Sequence, residues 1–361
     1  AALTFIFVTV VLDMLALGMV VPVLPHLIED FLGGDIPRAA QLVGLFSTVW
    51  AVMQFFSMPV MGALSDRFGR RPVILLSNFG LGLDYVLMAL APTLSWLFVG
   101  RLISGVTAAS VSTSMAYVAD VTPPERRAQS FGFVGVAFGV GFVLGPAIGG
   151  LLGSVDPRLP FWAAACASLL NAAYGFFILP ESLAPEKRRA FEWRRANPLG
   201  SLRFLRAHRE VFALAGAAFL SSLTHAVLPA VFVLYAAYRY GWDEKAVGLA
   251  LAGVGISSAL VQGALVGPLV RRFGERRVMI GGLLAGTAGF MLYAFAPTGL
   301  WFVAAIPIVG LWGLAGPTSQ GIMTRAVGAS AQGELQGAMG SLAGIAMMIG
   351  PTLFATVFAW S

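Results

Sequence analysis

Apolar runs of about twenty residues, each ended by a short polar or Pro/Gly turn, recur along the whole chain. Most are apolar on every face, so their pattern is not that of a helix half-sunk in water. A bilayer core about 30 Å thick is crossed by roughly 20 such residues in a helix. The pattern predicts eleven spans, at 3–25, 41–63, 73–92, 95–118, 129–153, 161–180, 211–235, 247–270, 278–297, 299–323 and 336–360. One connection, 181–210, is long and basic. It divides the chain into an N-terminal bundle (1–180), a basic linker (181–210) and a C-terminal bundle (211–361). The first run starts almost at residue 1 with no basic lead or small-residue cleavage site, so it reads as a span rather than a cleaved signal.

The sign of the loops orients the spans. With the N-terminus in the cytoplasm, eighteen of the 23 Lys and Arg fall in cytoplasmic loops and four in outer loops, with Arg101 inside a span. That bias follows the positive-inside rule and predicts a multi-pass protein of the inner (cytoplasmic) membrane.

The two halves repeat. GALSDRFGRRPV begins at Gly62 and GPLVRRFGERRV at Gly267, an offset of 205; at the same offset Ala91-Pro92-Thr93 meets Ala296-Pro297-Thr298, and Gly145-Pro146 meets Gly350-Pro351. A parallel repeat places an even number of spans in each half, which predicts six plus six, the twelfth lying outside these residues. Two such halves with a midplane site between them are a secondary-transporter plan.

Composition agrees: 58% hydrophobic, only 11% charged, with a mean hydropathy of +0.83. A pI near 9.9 reflects the basic loops and not a nucleic-acid surface. A single cysteine, Cys166, and three scattered histidines, His26, His208 and His225, give no disulfide framework and no metal-ligand spacing. No nucleophile–base pair or phosphate loop points to an enzyme, and no cofactor is called for.

Against this apolar background the polar residues stand out. An ionisable group at the bilayer centre costs about 2.5–3.5 kcal/mol on insertion scales, so function is its default reading, with a purely structural buried pair the alternative. Asp13 lies about ten residues into the first span, Asp84 near the middle of the third, and Arg101 a turn inside the fourth. His225, four residues before Pro229, is suited to proton handling or to an interhelical hydrogen bond. Gln54, Asn78, Asn171, Gln262 and Gln320 are candidate cavity groups or helix glue, and Trp312 and Phe232 candidate cavity aromatics or packing. Gly62, Asp66, Arg67, Gly69, Arg70 and Arg71 form a tight charged turn, read either as a cytoplasmic latch between the halves or as plain positive-inside anchoring. In the second copy Asp66 becomes Arg271 and Arg70 becomes Glu275. Gly141, Gly145, Pro146, Gly149 and Gly150 give a small-residue stripe for backbone-to-backbone packing with a proline bend.

Together these motifs resemble the major facilitator superfamily, and among its drug/proton antiporters LDMLALGMVVPVLP, SDRFGRRPVILLS with LDY, and GELQGAMGSLAGIAMMIGP are similar to the tetracycline/proton antiporters. The resemblance implies an all-α integral membrane protein of the major facilitator fold: two six-helix bundles working by alternating access. It implies proton-driven export of a small amphipathic molecule, tetracycline-like, with lipid, protons and substrate as partners and a monomer as the working unit. It also implies a cytoplasmic gate built on Asp66 and Arg70 and a proton and substrate network of Asp13, Asp84 and Arg101. The chain departs from that subfamily in the ninth span, where its further aspartate is matched by Gly286, and in the seventh, where the expected Gly-Gln pair is absent and His225 stands instead. An importer or uniporter of a metabolite, and a non-transporting membrane sensor, are the alternatives.

Overall fold

The computed structural model describes residues 2–107, 110–123, 127–188, 205, 208–327 and 332–360. Most of the basic linker lies outside the described residues. What is described is helix and turn, without strands. Ten helices are long and apolar enough to cross a bilayer. The fourth span is helical over Leu94–Thr107 and Ser110–Val121, with 108–109 outside the described residues. All eleven predicted spans are therefore helical where they are described. The fold is the one expected from the repeat, with six spans in the first half and five in the second among the described residues.

Several helices run past the apolar stretch because polar residues start and stop them. Asp35 opens the second span (Ile36–Phe68) by accepting the Arg38 N–H at 3.0 Å, and Asp243 opens the eighth by accepting from Ala246 at 2.8 Å, both ordinary N-caps. Gly69 (φ 107°) and Gly274 (φ 79°) make the equivalent turns after the second and eighth spans. That region is closed to most side chains, which explains why both copies keep glycine there. At the opposite end Arg158 donates to the carbonyls of Ala89 (2.8 Å) and Ala91 (3.0 Å), satisfying the unpaired end of the third span.

The sixth span packs between the first and third.

The halves meet along two seams, second span on eleventh and fifth on eighth. The small-residue stripe of the fifth span explains the second seam. Cβ atoms on Gly141, Gly145 and Gly149 would run into the first-span backbone or side chains at Met14, Gly18 and Met19. One step round the helix, Gly150 faces Glu244 and Gly248 of the eighth span, and the Pro146 carbonyl also abuts Gly248. One face of the stripe seats the first span and the next face seats the other half. The first seam repeats the contact: the Pro351 carbonyl lies 2.9 Å from where a Cβ of Gly44 would stand. The repeated Gly-Pro therefore supplies both seams in the same way.

These contacts lie at the end remote from the arginine-rich turns. Thr48 donates to the Met348 carbonyl (2.9 Å) and touches the Thr352 hydroxyl (2.8 Å); Val143 meets Gly255. Toward the arginine-rich end Gly62, Gly135, Gly139, Gly263 and Gly340 have open space where a Cβ would be. The molecule is closed at one end and parted at the arginine-rich end.

Candidate functional site

The second half carries a cavity of about 420 Å³ whose wall is formed by the seventh, eighth, tenth and eleventh spans. Three of the predicted cavity residues line it: His225, Gln262 and Trp312. Each sits at an irregular turn of its helix. The seventh span is interrupted at Ala226, between Arg209–His225 and Val227–Tyr240. Gln262 belongs to a π-helical turn, Val261–Leu265, and Trp312 to a 3-10 turn, Leu311–Leu314. The imidazole and indole centroids are 5.5 Å apart, and Phe290 meets the indole edge-on at 5.5 Å. Serines at 221, 222 and 258 also line the wall. The sequence reading passed over them, although Ser221 and Ser222 lie within a turn or so of His225.

Gly286 explains how Trp312 reaches its place. A Cβ at Gly286 would stand 2.8 Å from the indole Cγ. A residue with any side chain here, the aspartate of the resemblance included, would displace the ring. The missing acid and the seated tryptophan are one structural fact.

Phe232 does not line this cavity. It is buried in an aromatic cluster at the closed end, stacked on Phe302 (5.3 Å) and edge-on to Trp242 (6.3 Å). Gln320 donates to Gln336 at 2.7 Å and joins the tenth span to the eleventh. Gln54 is half-buried on the second span, outside the lining of this cavity.

The mid-membrane charges all lie inside the first half. Asp13 is 5% exposed and accepts from the Asn171 amide at 3.0 Å, which also reaches the Thr9 carbonyl at 3.2 Å. Asp13 thus faces the sixth span, not the cavity wall described above. Asp84 is 1% exposed and Arg101 8%. They feel each other's charge, with the Ser104 hydroxyl, which donates to the Arg101 carbonyl, beside them; no closer ion pair joins them among the described residues. The Arg101 guanidinium instead lies over the Trp50 ring at 5.4 Å. Tyr85 is the residue that feels all three charges, Asp84, Arg101 and Asp13. It stood unremarked in the LDY run. Asn78, wholly buried, has no partner for either amide atom. His225 belongs to the other half, so the structure brings Asp84 and Arg101 together, holds Asp13 against Asn171 of the sixth span, and leaves His225 apart.

The charged turn is also internal to one half in this conformation. Arg70 pairs with Asp66 (2.6 Å) and with Asp120 at the end of the fourth span (3.1 Å), and donates to the Ser65 hydroxyl. The Glu181 carboxylate accepts from the Arg70 and Arg71 N–H groups (2.9 and 3.3 Å), an anion on a helix N-terminus. Arg71 donates to the Phe176 carbonyl, and Arg67 lies over Phe68. The turn ties together spans two, three, four and six. No contact from it to the second half occurs among the described residues, as fits a molecule parted at this end. In the second half Arg325 pairs with Glu275. Residues 70 and 275, and 120 and 325, are each 205 apart, so the same bridge occurs twice with its charges exchanged.

A polytopic helical protein built from two repeated halves, parted around a midplane cavity, has the architecture of a membrane carrier. The sequence matches the Major Facilitator Superfamily over residues 6–351, and the chain belongs to that family of transporters. It is 39% identical over 360 residues to the class C tetracycline resistance protein of Escherichia coli, covering 100% of this chain and 90% of that protein. It is 36% identical over 354 residues to the class D protein of Salmonella ordonez, covering 98% and 88%. The crystal structure of the human organic anion transporter MFSD10 (TETRAN) superposes with a TM-score of 0.74 at 26% identity, covering 100% of this chain and 94% of that one.

Proposed function

We propose that this transporter exports a small amphipathic organic molecule, of the tetracycline-like drug class, in exchange for protons. The arginine-rich end faces the cytoplasm, in keeping with its loop charge, and the N-terminus lies on that side of the inner membrane. The halves, 1–180 and 211–361 joined by the linker 181–210, rock about the two Gly-Pro seams, and the protein works as a monomer without a cofactor. The observation that carries this reading is the pair of carboxylates, Asp13 and Asp84, buried inside the first half, while the second half presents a cavity wall of polar and aromatic side chains.

The chemistry follows from the arrangement. Substrate enters from the cytoplasm onto the His225, Gln262 and Trp312 wall. Asp84 is buried beside the Arg101 charge, so a proton arriving from outside would change the net charge of that buried group. Its protonation changes the relative stability of the two conformations, the only way a bound proton can drive one into the other. Relatives named for tetracycline resistance favour a drug as cargo and extrusion as the direction.

The test is transport in proteoliposomes under an imposed pH gradient, with tetracycline as first substrate. Uphill movement that collapses with the gradient, and is lost in Asp13→Asn and Asp84→Asn, is the expected result. Uphill transport left intact in both variants would end the reading of these acids as proton carriers. Gradient-driven movement in the reverse direction would make the protein an importer.

A further inference from the structure

The conformation described here is parted at the arginine-rich end, yet Asp84 is only 1% exposed. The fourth span covers it: a Cβ on Gly100 would stand 3.1 Å from the Asp84 Oδ1. An acid that gives its proton to the cytoplasm in this state needs a way out other than the gap between the halves.

Hydroxyls along the seam of the third and fourth spans offer one. The two helices run antiparallel there, with Met88 against Gly100 and Gly80 against Thr107. Continued toward the cytoplasm, that register sets Ser77 near residue 110 and Ile74 near Thr113 and Ser114. Ile74 and Tyr117 share one buried cluster. The seam ends where Arg70 of the third span pairs with Asp120 of the fourth at 3.1 Å. Polar side chains thus recur from Asp84 to Asp120 at intervals of one or two helical turns.

The hydroxyls of this seam are of two kinds. A serine or threonine inside a helix can bond the carbonyl three or four residues back. Ser104 and Thr107 do so, to Arg101 (3.3 Å) and Ile103 (3.0 Å). In the second half Thr224, Thr287 and Thr318 do the same. Ser77, Thr113 and Ser114 do not. They are 0–2% exposed, and their oxygens have no protein partner among the described residues. Buried polar groups left over in this way are where a protein interior holds water. Asn78, beside Ser77 and unpartnered at both amide atoms, adds to the same polar patch.

We propose that a file of ordered waters on Ser77, Thr113 and Ser114 carries the proton from Asp84 to the Arg70–Asp120 bridge, so that it leaves through the interior of the first half and not through the substrate cavity. Each hydroxyl and each water both donates and accepts, so each takes a proton on one side and gives one on the other. One proton lost by Asp84 appears as one proton released to the cytoplasm beside Asp120. Titratable groups stand at the two ends. Tyr85 and Arg101 neighbour Asp84, with the Asp13 charge acting on Tyr85 from the first span. Tyr117 follows Ser114, and Asp66, Arg70, Asp120 and Glu181 gather at the turn. Between the ends no basic side chain of the third or fourth span is there to hold the proton.

This proposal rests on the reading of the protein as a proton-driven exporter. Its test uses side chains of equal size that differ in one hydroxyl: Ser77→Val against Ser77→Thr, and Thr113→Val against the native threonine. Tetracycline is the probe, in proteoliposomes. Ser77→Val and Thr113→Val are expected to slow pH-gradient-driven transport at least about tenfold, as loss of a proton relay does. Exchange of labelled for unlabelled tetracycline at equal pH, which needs no net proton release, should be unchanged in both. Ser77→Thr should keep both activities. A readout free of substrate is X-ray hydroxyl-radical labelling: Tyr117, 0% exposed, is expected to be oxidised in the native protein and to escape oxidation when both valines are present. Size-exclusion of each variant establishes that it is folded. Equal gradient-driven rates in Ser77→Val and Ser77→Thr overturn the proposal. So does an equal fall of gradient-driven transport and exchange in the valine variants, or a Tyr117 left unoxidised in native protein. Native protein driven by the gradient with indifferent variants ends this route alone. Native protein that exchanges tetracycline with no gradient-driven transport ends the proton-exchange reading itself, and the route with it.

Discussion

The exchanged pair Arg70–Asp120 and Glu275–Arg325 shows how burial, not charge, sets what a bridge contributes. In the first half the side chains are 11% and 23% exposed and Arg70 holds further partners. In the second, Arg325 is 64% exposed. An exposed pair contributes about 0–1 kcal/mol, whereas removing one partner of a half-buried charge leaves it unsatisfied at about 1–3 kcal/mol. Asp120→Asn should therefore lower the unfolding temperature in detergent clearly more than Glu275→Gln does. Thermal unfolding of both variants checks this, and equal shifts would refute it. The exchange itself was half legible in the sequence, because the Arg70-to-Glu275 reversal stands in the repeat. Its partners were not, since Asp120 and Glu181 lie far along the chain and only the folded bundle brings them to the same turn. Asp13, Asp84 and Arg101 were legible for a different reason: lipid makes any charge in an apolar run conspicuous. That they turn inward into their own bundle depends on helix rotation, which the near-uniform apolar pattern does not specify.

At the scale of the helix, the fifth span separates two uses of glycine. Gly145 has no room for a side chain, since a Cβ would stand 2.7 Å from the Gly18 Cα, while Gly139, six residues earlier, meets nothing. Close backbone approach between spans is what small residues provide, and an intruding side chain forces the helices apart at about 1–3 kcal/mol or more. Gly145→Leu should abolish folded protein or transport. Gly139→Ala should leave both unchanged, and fluorescence-detected size-exclusion followed by the proteoliposome assay separates the outcomes. The stripe and the number of spans were readable because length and four-residue spacing are properties of sequence. The turns at Ala226, Val261–Leu265 and Leu311–Leu314 were not. A π or 3-10 turn in an apolar run costs little locally and is selected by the neighbours that fill around it. Pro229, Gly263, Pro307, Gly310 and Gly313 stand near these turns, but proline and glycine recur in the regular stretches too. The cavity residues His225, Gln262 and Trp312 could be named as polar or aromatic exceptions, but their convergence could not.

For the whole molecule, the two seams make a definite claim about motion. Contacts between the halves gather at the closed end, where Thr48 and Thr352 touch through their hydroxyls at 2.8 Å. The same spans leave open space at Gly62 and Gly340. A carrier that alternates must break the first set and make contacts in the second. Packed interfaces switch between discrete arrangements, so the two ends exchange roles rather than loosen together. With Cys166, the only native cysteine, replaced by serine, the pair Thr48→Cys and Thr352→Cys should cross-link under mild oxidation in the conformation described here. The bond would hold the closed end shut, stop transport, and release it again on reduction. The pair Gly62→Cys and Gly340→Cys should resist cross-linking in that state and form it only when substrate or a pH gradient drives the opposite one. Cross-linking yield on gels, paired with transport before and after reductant, measures both. Transport that continues with the outer pair fully cross-linked would mean that the halves do not part at that end, and the rocking motion about the Gly-Pro seams would have to be abandoned.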